Sequence, residues 1–504
     1  MTSGGSTGGG VDRQVERERK FDLEPGAAPP DLTAAFPAGS HAESDTVRLV
    51  SAYYDTADRD LLAVGITLRK RTGDTDTGWQ LKVPVGESRT ELRLPLSAAR
   101  TRVPRKLAEL VGGVALGAPL TPLVTVHTER RRRRWSTPDG VLLAEIADDD
   151  VKATAPDAPL DIWSAWRELE VELGPAGDEP LLDAVSDLLL ESGASRGTSA
   201  NKVAKALGGP PDRSPSAKRR SAGRAVLDYL AEQHAALLTG DLGLRTGTGD
   251  DVVHDTRVAV RRMRSTLRVY GALFDDDRVE AFDGELNWYA HVLGDARDAE
   301  VQRARFAAAI EAVPVGAVLG PVAARIDEHL LVRQVHAQRA LTETLSDKRY
   351  LALLRESAAW LNQPPFSGDS TKKKARTLRG PAHKAAKKAV RRLTVGLEHG
   401  DDELLHKARK AAKRARYAGE LLALAGVKDP LAAAGALDAW KDLQDVLGEH
   451  QDSVLASDLL RRLGAATAER PGENGFTYGV LYQREQDTAA ASRDAAAQWK
   501  SPLD

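Results

Sequence analysis

At 504 residues, with 42% hydrophobic and 29% charged side chains, the chain has an ordinary globular balance and is too long for one core, so two or three domains are expected. The absence of cysteine excludes disulfides, thiolate metal sites and a cysteine nucleophile, while a net charge of −2 and 5% aromatics argue against a general nucleic-acid binder or a base-stacking platform. No run approaches the ~20 apolar residues of a membrane span, and the start, MTSGGSTGGG, has neither part of a signal peptide, so a cytoplasmic protein is expected.

Residues 1–10 read as a flexible Gly/Ser tail. Over 11–207, alternating segments between Gly, Pro and Asp turns predict strands at 15–23, 47–54, 66–71, 79–83, 91–94, 124–135, 141–147 and 166–173, with helices at 103–110 and 180–191. Charge recurs on one face of these strands: Glu16, Glu18 and Lys20; Arg69 and Arg71; Gln80 and Lys82; Arg130, Arg132 and Arg134; Glu145 and Asp149; Glu168, Glu170 and Glu172. The other face carries Leu68, Leu81, Val83, Ile146, Leu169 and Val171. A solvated face accounts for one such strand, but three glutamates in a row repel one another and gain nothing from packing. If helices cover the apolar faces, the charge turns inward, which describes a closed antiparallel barrel with a polar lumen. Cationic strands there suit phosphate oxygens, and carboxylate strands suit a hard divalent cation, Mg²⁺ or Mn²⁺. Together they fit metal-assisted phosphoryl hydrolysis.

Glu16-Arg17-Glu18-Arg19-Lys20 resembles the ExExK signature of the CYTH superfamily, the triphosphate tunnel metalloenzymes. The likeness continues through Tyr53-Tyr54-Asp55-Thr56, Leu68-Arg69-Lys70-Arg71, Trp79-Gln80-Leu81-Lys82, Arg130 and Arg132, Ala147-Asp148-Asp149, Glu168-Leu169-Glu170-Val171-Glu172 and Lys202. The resemblance implies an α+β domain with an eight-stranded antiparallel tunnel. By matching position it makes Lys20, Arg69, Arg71, Lys82, Arg130, Arg132 and Lys202 phosphate ligands. Glu16, Glu18, Asp149, Glu168 and Glu170 become the holders of Mg²⁺ or Mn²⁺, with Glu168, Glu170 and Lys20 the catalytic group. Asn201 departs from the serine usual before the terminal lysine, and parity against Trp135 turns Arg130, Arg132 and Arg134 inward.

The stretch 208–223, rich in Pro, Gly, Ser and charge, reads as a linker, and 224–497 as all-α with 3–4 periodicity. That half repeats itself: HDTRVAVRRMRSTLRVYGAL from His254 answers to HKARKAAKRARYAGELLALA from His406, and Leu293-Gly294 and Asp298 answer to Leu447-Gly448 and Asp452. Two related helical bundles about a pseudo-twofold axis are expected. At about 100° per residue, His254, Arg257, Arg261, Arg264 and Arg268 share one narrow sector, opposite Val253, Ala259, Val260, Met263, Leu267 and Tyr270. His406, Arg409, Lys413 and Arg416 do the same, opposite Leu404, Ala408, Ala411, Ala415 and Leu422. The stripes hold almost no acids before Glu420, which points to an absent polyanionic partner. Each leading histidine is expected to add a cation below pH ~6.5. The segment 372–392 adds more cations, interrupted by Pro381, and reads equally as a solvated face or a phosphate site.

HxxRVAxRRxRSxL and LGxxRD resemble the CHAD domain, whose likeness implies polyphosphate binding along a basic channel; Lys413 and Gln451 depart from it in the second repeat. The combined expectation is metal-dependent hydrolysis of inorganic triphosphate or polyphosphate, with the helical half holding the long chain. The alternatives are a slow or non-catalytic polyphosphate-binding protein carried to polyphosphate granules, and a nucleotide cyclase.

Overall fold

The computed structural model describes residues 12–24, 27, 30–85, 88–96, 102–156, 158–199, 201–211, 221–249, 251–469 and 473–503, and the side chains of 12–16, 85, 88, 158–161 and 469 are not among the described ones. The expected tail at 1–10, most of the expected linker and the Glu16 side chain therefore lie outside the described residues. The chain divides into two compact units, Met1–Pro215 with Arg245–Gly249, and Ser216–Leu244 with Asp250–Asp504.

The first unit is an antiparallel β domain. Its strands are β1 (Asp12–Glu16), β2 (Glu18–Asp22), β3 (His41–Asp55), β4 (Thr67–Thr72), β5 (Gly78–Val85), β6 (Ser88–Leu94), β7 (Thr121–Ser136), β8 (Leu142–Ala155), β9 (Ala158–Leu173) and β10 (Ser195–Arg196). The helices are α1 (Asp60–Ala63), α2 (Arg105–Leu110), α3 (Glu179–Glu191) and α4 (Lys202–Ala206). The sheet order is β1-β6-β5-β4-β3-β7-β8-β9-β2-β10, ten strands with two ends, so the ladder is not the closed eight-stranded ring of the expectation. The difference arises at Arg17, where one strand breaks in two: Asp12–Glu16 pairs with β6 and Glu18–Asp22 pairs with β9. Backbone continuity spans that seam in place of hydrogen bonds. Counting β1 and β2 as one bent strand, and setting aside the two-residue β10, eight strands remain.

Strand parity sorts the side chains as the alternation requires. Outward-facing Trp135, Ile146, Leu169 and Val171 join Phe21 in a core closed by Leu181, Leu182, Val185 and Leu189 of α3. Asp178 caps that helix by accepting from the Leu181 amide at 3.0 Å. The inward parity is not polar throughout. Val124 and Val126 of β7 and Val151 and Ala153 of β8 pack with Tyr53, Leu62 and the α4 residues Val203 and Ala204. An apolar plug thus fills one stretch of the lumen, and polar residues occupy the remainder.

The second unit is helical: α5 (Ala222–Thr246), α6 (Val252–Tyr270), α7 (Asp276–Glu311), α8 (Val322–Leu345), α9 (Lys348–Asn362), α10 (Arg379–His399), α11 (Asp402–Leu424), α12 (Ala434–Ala466) and α13 (Phe476–Gln498). The repeat is visible in the packing: α6 against α7 and α7 against α8 in the first copy, α11 against α12 and α12 against α13 in the second, with α6 against α11 between them. Ala259, Val260, Met263, Leu267 and Tyr270 of α6 are buried as expected, whereas Val253 is half-exposed. On α11 the core takes Leu405 rather than Leu404, which is half-buried in the helix's first turn. Pro381 does not interrupt α10; it sits in the first turn, where a missing amide hydrogen breaks no helical bond.

Candidate functional site

Three rungs of side chains cross β7, β8, β9 and β2 in register: Arg130, Asp149, Glu168 and Asp22; Arg132, Ala147, Glu170 and Lys20; Arg134, Glu145, Glu172 and Glu18. Facing them, β4, β5 and β6 bring Arg69, Arg71, Lys82, Arg89 and Arg93 into the same cleft, which encloses about 200 Å³. One wall is thus chiefly cationic and the other chiefly carboxylate.

The cations are held at fixed points. Arg69 donates to Gln80 at 2.6 Å and to the Tyr53 hydroxyl at 3.3 Å, and Arg71 donates to Asp76 at 2.7 Å. Arg132 donates to Asp45 at 2.9 Å and to Asp74 at 2.5 Å. Lys82 lies 3.9 Å from Glu91, and Lys20 pairs with Glu170 and lies 3.5 Å from Glu18. Burial works against the Asp76 carboxyl, but Arg71 outweighs it and holds the pKa at about 2. Arg131, of the opposite parity, turns outward to Asp148 and Asp150.

Asp149, Glu168 and Glu170 lie with one oxygen of each within 4.8 Å of the others. Asp149 is fully buried because it borders the apolar plug, and only Glu170 of the three lines the cleft. Arg130 grips Asp149 with two bonds of 2.8 and 2.7 Å and also reaches Glu170. The Lys202 ammonium stands 2.9 Å from Asp149, 2.7 Å from Glu168 and 2.8 Å from Glu170. It is delivered there as the first residue of α4, whose cap is Asn201: the Asn201 side chain accepts from the Ala204 amide at 2.8 Å, the task a serine also performs. The Trp166 indole donates to the other Glu168 oxygen at 2.6 Å. Burial pushes the Glu170 carboxyl up, but Lys20, Lys202 and Arg130 overcome it and hold it well below the carboxylate range. Glu145, which lines the same cleft, is shifted the other way because its burial outweighs Arg130, Arg132 and Arg134.

Three hard oxygen donors at this separation fit a divalent cation, and the Lys202 ammonium holds their charge together at the same point. Sequence reasoning missed Arg89, Arg93 and the acids Asp74, Asp76 and Glu91. The alternation Arg89-Glu91-Arg93 carries the signal, but the expected strand at 91–94 leaves out its first arginine, which β6 includes.

In the helical unit the basic stripes divide. Arg257 pairs with Asp298 at 2.6 Å, while Arg264 and Arg268 pair with Asp283 at 3.0 and 2.8 Å. The apparent lack of acids is therefore corrected in part, since the partners come from the neighbouring α7. Arg416 lies 3.4 Å from Glu420. Arg261, Arg409 and Lys413 have no carboxylate in ion-pair contact among the described residues, and the Arg261 and Arg409 Nε–H groups and His406 Nδ1 are buried without a partner. Burial, then the fields of Arg409, Arg261 and Arg257, push the Lys413 ammonium well below its ordinary range. Burial, then Lys410, Arg409 and Lys413, lower His406 to about 4, and His254 is lowered by burial, Arg261 and Arg297. His406 is therefore neutral near pH 6.5, where the sequence predicts it to charge, and His254 is shifted in the same direction. Only the second repeat's Leu-Gly makes room for its arginine: a side chain on Gly448 would meet the Arg409 guanidinium at 2.6 Å, whereas one on Gly294 would meet that of Arg257 at an ordinary 3.7 Å.

The sequence profile of the CYTH domain matches residues 14–207, and that of the CHAD domain residues 228–461. Uncharacterized protein MT2285 of Mycobacterium tuberculosis is 33% identical over 503 residues, covering 96% of this chain and 95% of that protein. Among solved structures, PptA from Streptomyces chartreusis is 21% identical with a TM-score of 0.45, covering 55% of this chain and 98% of its own. The CHAD domain of the plant Ricinus communis is 23% identical with a TM-score of 0.43, covering 55% and 93%. No helix among the described residues is long and apolar enough to cross a membrane. The chain belongs to the family in which a CYTH domain, the triphosphate-tunnel fold, is followed by a CHAD domain.

Proposed function

We propose that the β domain hydrolyses a phosphoanhydride bond of inorganic triphosphate or polyphosphate, and that the helical domain holds the longer chain. The observation that carries this reading is the two-walled cleft, with cations placed for phosphate oxygens opposite a buried carboxylate triad. Arg69, Arg71, Lys82, Arg130 and Arg132 bind and orient the chain, their guanidinium and ammonium groups already desolvated and positioned. Asp149, Glu168 and Glu170, with Glu18 and Glu16 at the seam, would hold Mg²⁺ or Mn²⁺. When bound, such an ion polarises the phosphoryl group and makes an attacking water more acidic. Glu170, kept ionised by three cations, suits a ligand role; Glu145, with its raised pKa, suits the acceptance of a proton from that water. Lys20 and Lys202 neutralise charge at the same place.

One observation favours a second reading, binding without turnover: the Lys202 ammonium already satisfies the triad. A cyclase needs a pocket for a base, and Tyr53, already bonded to Arg69, is the sole aromatic ring among the described residues lining the cleft. The test is orthophosphate release from tripolyphosphate, long-chain polyphosphate and ATP, each with Mg²⁺ and with Mn²⁺. Release from the inorganic substrates supports hydrolysis; binding with no release under either metal supports the second reading.

A further inference from the structure

The cations of α10 belong neither to the cleft nor to the stripes of α6 and α11. Its buried stripe is Ala382, Ala386, Ala389, Leu393 and Gly396, so the helix packs on α11 chiefly through small residues. Lys384, Lys387, Lys388 and Arg391 are exposed on the other side and, with His383, line a groove. None of the four has an ion-pair partner among the described residues, although His383 contacts Asp429 at 3.1 Å. The charge does not end at the helix edge. Arg414 of α11, without a described carboxylate partner, is lowered to about 10 by burial and then by Arg392, Arg268 and Arg264. Packing does not demand this charge. The helix that precedes α6 in the first repeat, α5, carries Asp228, Glu232 and Asp241 against Arg224 and Arg245, whereas α10 carries six Lys and Arg and the single acid Glu398.

We propose that the exposed face of α10 is a second anion site, which takes the outlying part of a long polyphosphate chain whose inner part lies on Arg261, Arg409 and Lys413. The inference rests on the polyphosphate reading and deepens it by giving the protein a chain-length preference. The α6 stripe from His254 to Arg268 runs about 21 Å and the α10 cations span about 11 Å on another helix, with Arg414 between them, so engaging both takes a chain longer than tripolyphosphate. The groove-lining residues include no aromatic ring besides the His383 imidazole, so it offers little on which nucleic-acid bases would stack.

The test uses the full-length protein with Lys384, Lys387, Lys388 and Arg391 all changed to Gln, titrated with long-chain polyphosphate, tripolyphosphate and double-stranded DNA of matched charge at two salt concentrations. Affinity for the long chain is expected to fall about tenfold or more, with the log–log salt slope flatter by about three. Tripolyphosphate hydrolysis and the thermal melt stay at wild-type values. Should the Gln variant melt lower, Lys387→Glu with Arg391→Glu repeats the test with two changes. Unchanged long-chain affinity in the folded variant, while Arg261→Gln with Arg409→Gln loses it, overturns the α10 site and leaves the function standing. No binding of polyphosphate by the wild type overturns the function itself. Loss of DNA binding with polyphosphate binding intact overturns the ligand assignment.

Discussion

Two carboxylates have different jobs in the proposed function, Glu168 buried behind the cleft and Glu145 lining it. Glu168→Gln keeps the shape and the Trp166 bond but removes a charge from the triad, so turnover should fall ~10–100-fold or more while polyphosphate affinity stays within about twofold. Steady-state kinetics beside a binding titration decide it; unchanged turnover in a folded variant refutes the metal assignment. Glu145 predicts a pH signature: with its pKa raised, activity should climb with pH as the carboxyl ionises, and Glu145→Gln should lower kcat and remove that limb. His406 gives a readout independent of catalysis. Its imidazole should titrate near pH 4 by NMR, and added polyphosphate should raise that midpoint by opposing the fields of Lys410, Arg409 and Lys413. The unfolded chain takes up this proton near pH 6.5 and the folded chain near 4. Between those values the unfolded state binds more protons, so this group costs stability as pH falls through that window and is neutral above it.

At the scale of elements, the two Leu-Gly turns of helix form an internal control. Gly448→Ala places a methyl group 2.6 Å from the Arg409 guanidinium and should weaken polyphosphate binding, whereas Gly294→Ala makes an ordinary 3.7 Å contact and should leave binding unchanged. The second change should also stabilise α7 by up to about 1 kcal/mol through helix propensity. Equal binding by both variants means that Arg409 is not a phosphate contact. Alternation revealed the inward charge because strand period is independent of length, and the helical repeat revealed itself because its cations recur in order. What stayed hidden depends on partners distant in sequence. The acids Asp283 and Asp298 that pair with α6 come from α7, and the α4 plug that buries Asp149 lies over 50 residues from it. Strand ends were hidden for a related reason: β3, β8 and β9 extend well beyond the expected 47–54, 141–147 and 166–173, because neighbouring strands supply their backbone partners.

For the whole molecule, the division of labour makes separable predictions. Residues 1–207 alone should retain triphosphatase activity, and residues 224–504 should bind polyphosphate without cleaving it; metal-dependent cleavage by the helical fragment contradicts this. Binding by the helical half should weaken steeply with salt, as counterion release requires, and Arg257, Arg261, Arg409 and Lys413 changed to Ala should flatten that dependence without a large loss in melting temperature. The central claim is that the carboxylate and cation walls of the cleft act together on a phosphoanhydride. It is tested most directly by measuring orthophosphate released from tripolyphosphate by the full-length protein, with Mg²⁺, with Mn²⁺ and after chelation. The account predicts release that depends on the metal and is lost in Glu168→Gln. Tripolyphosphate that is bound but left uncleaved under both metals would contradict it, and would make the Lys202-filled triad the working state of a binding protein.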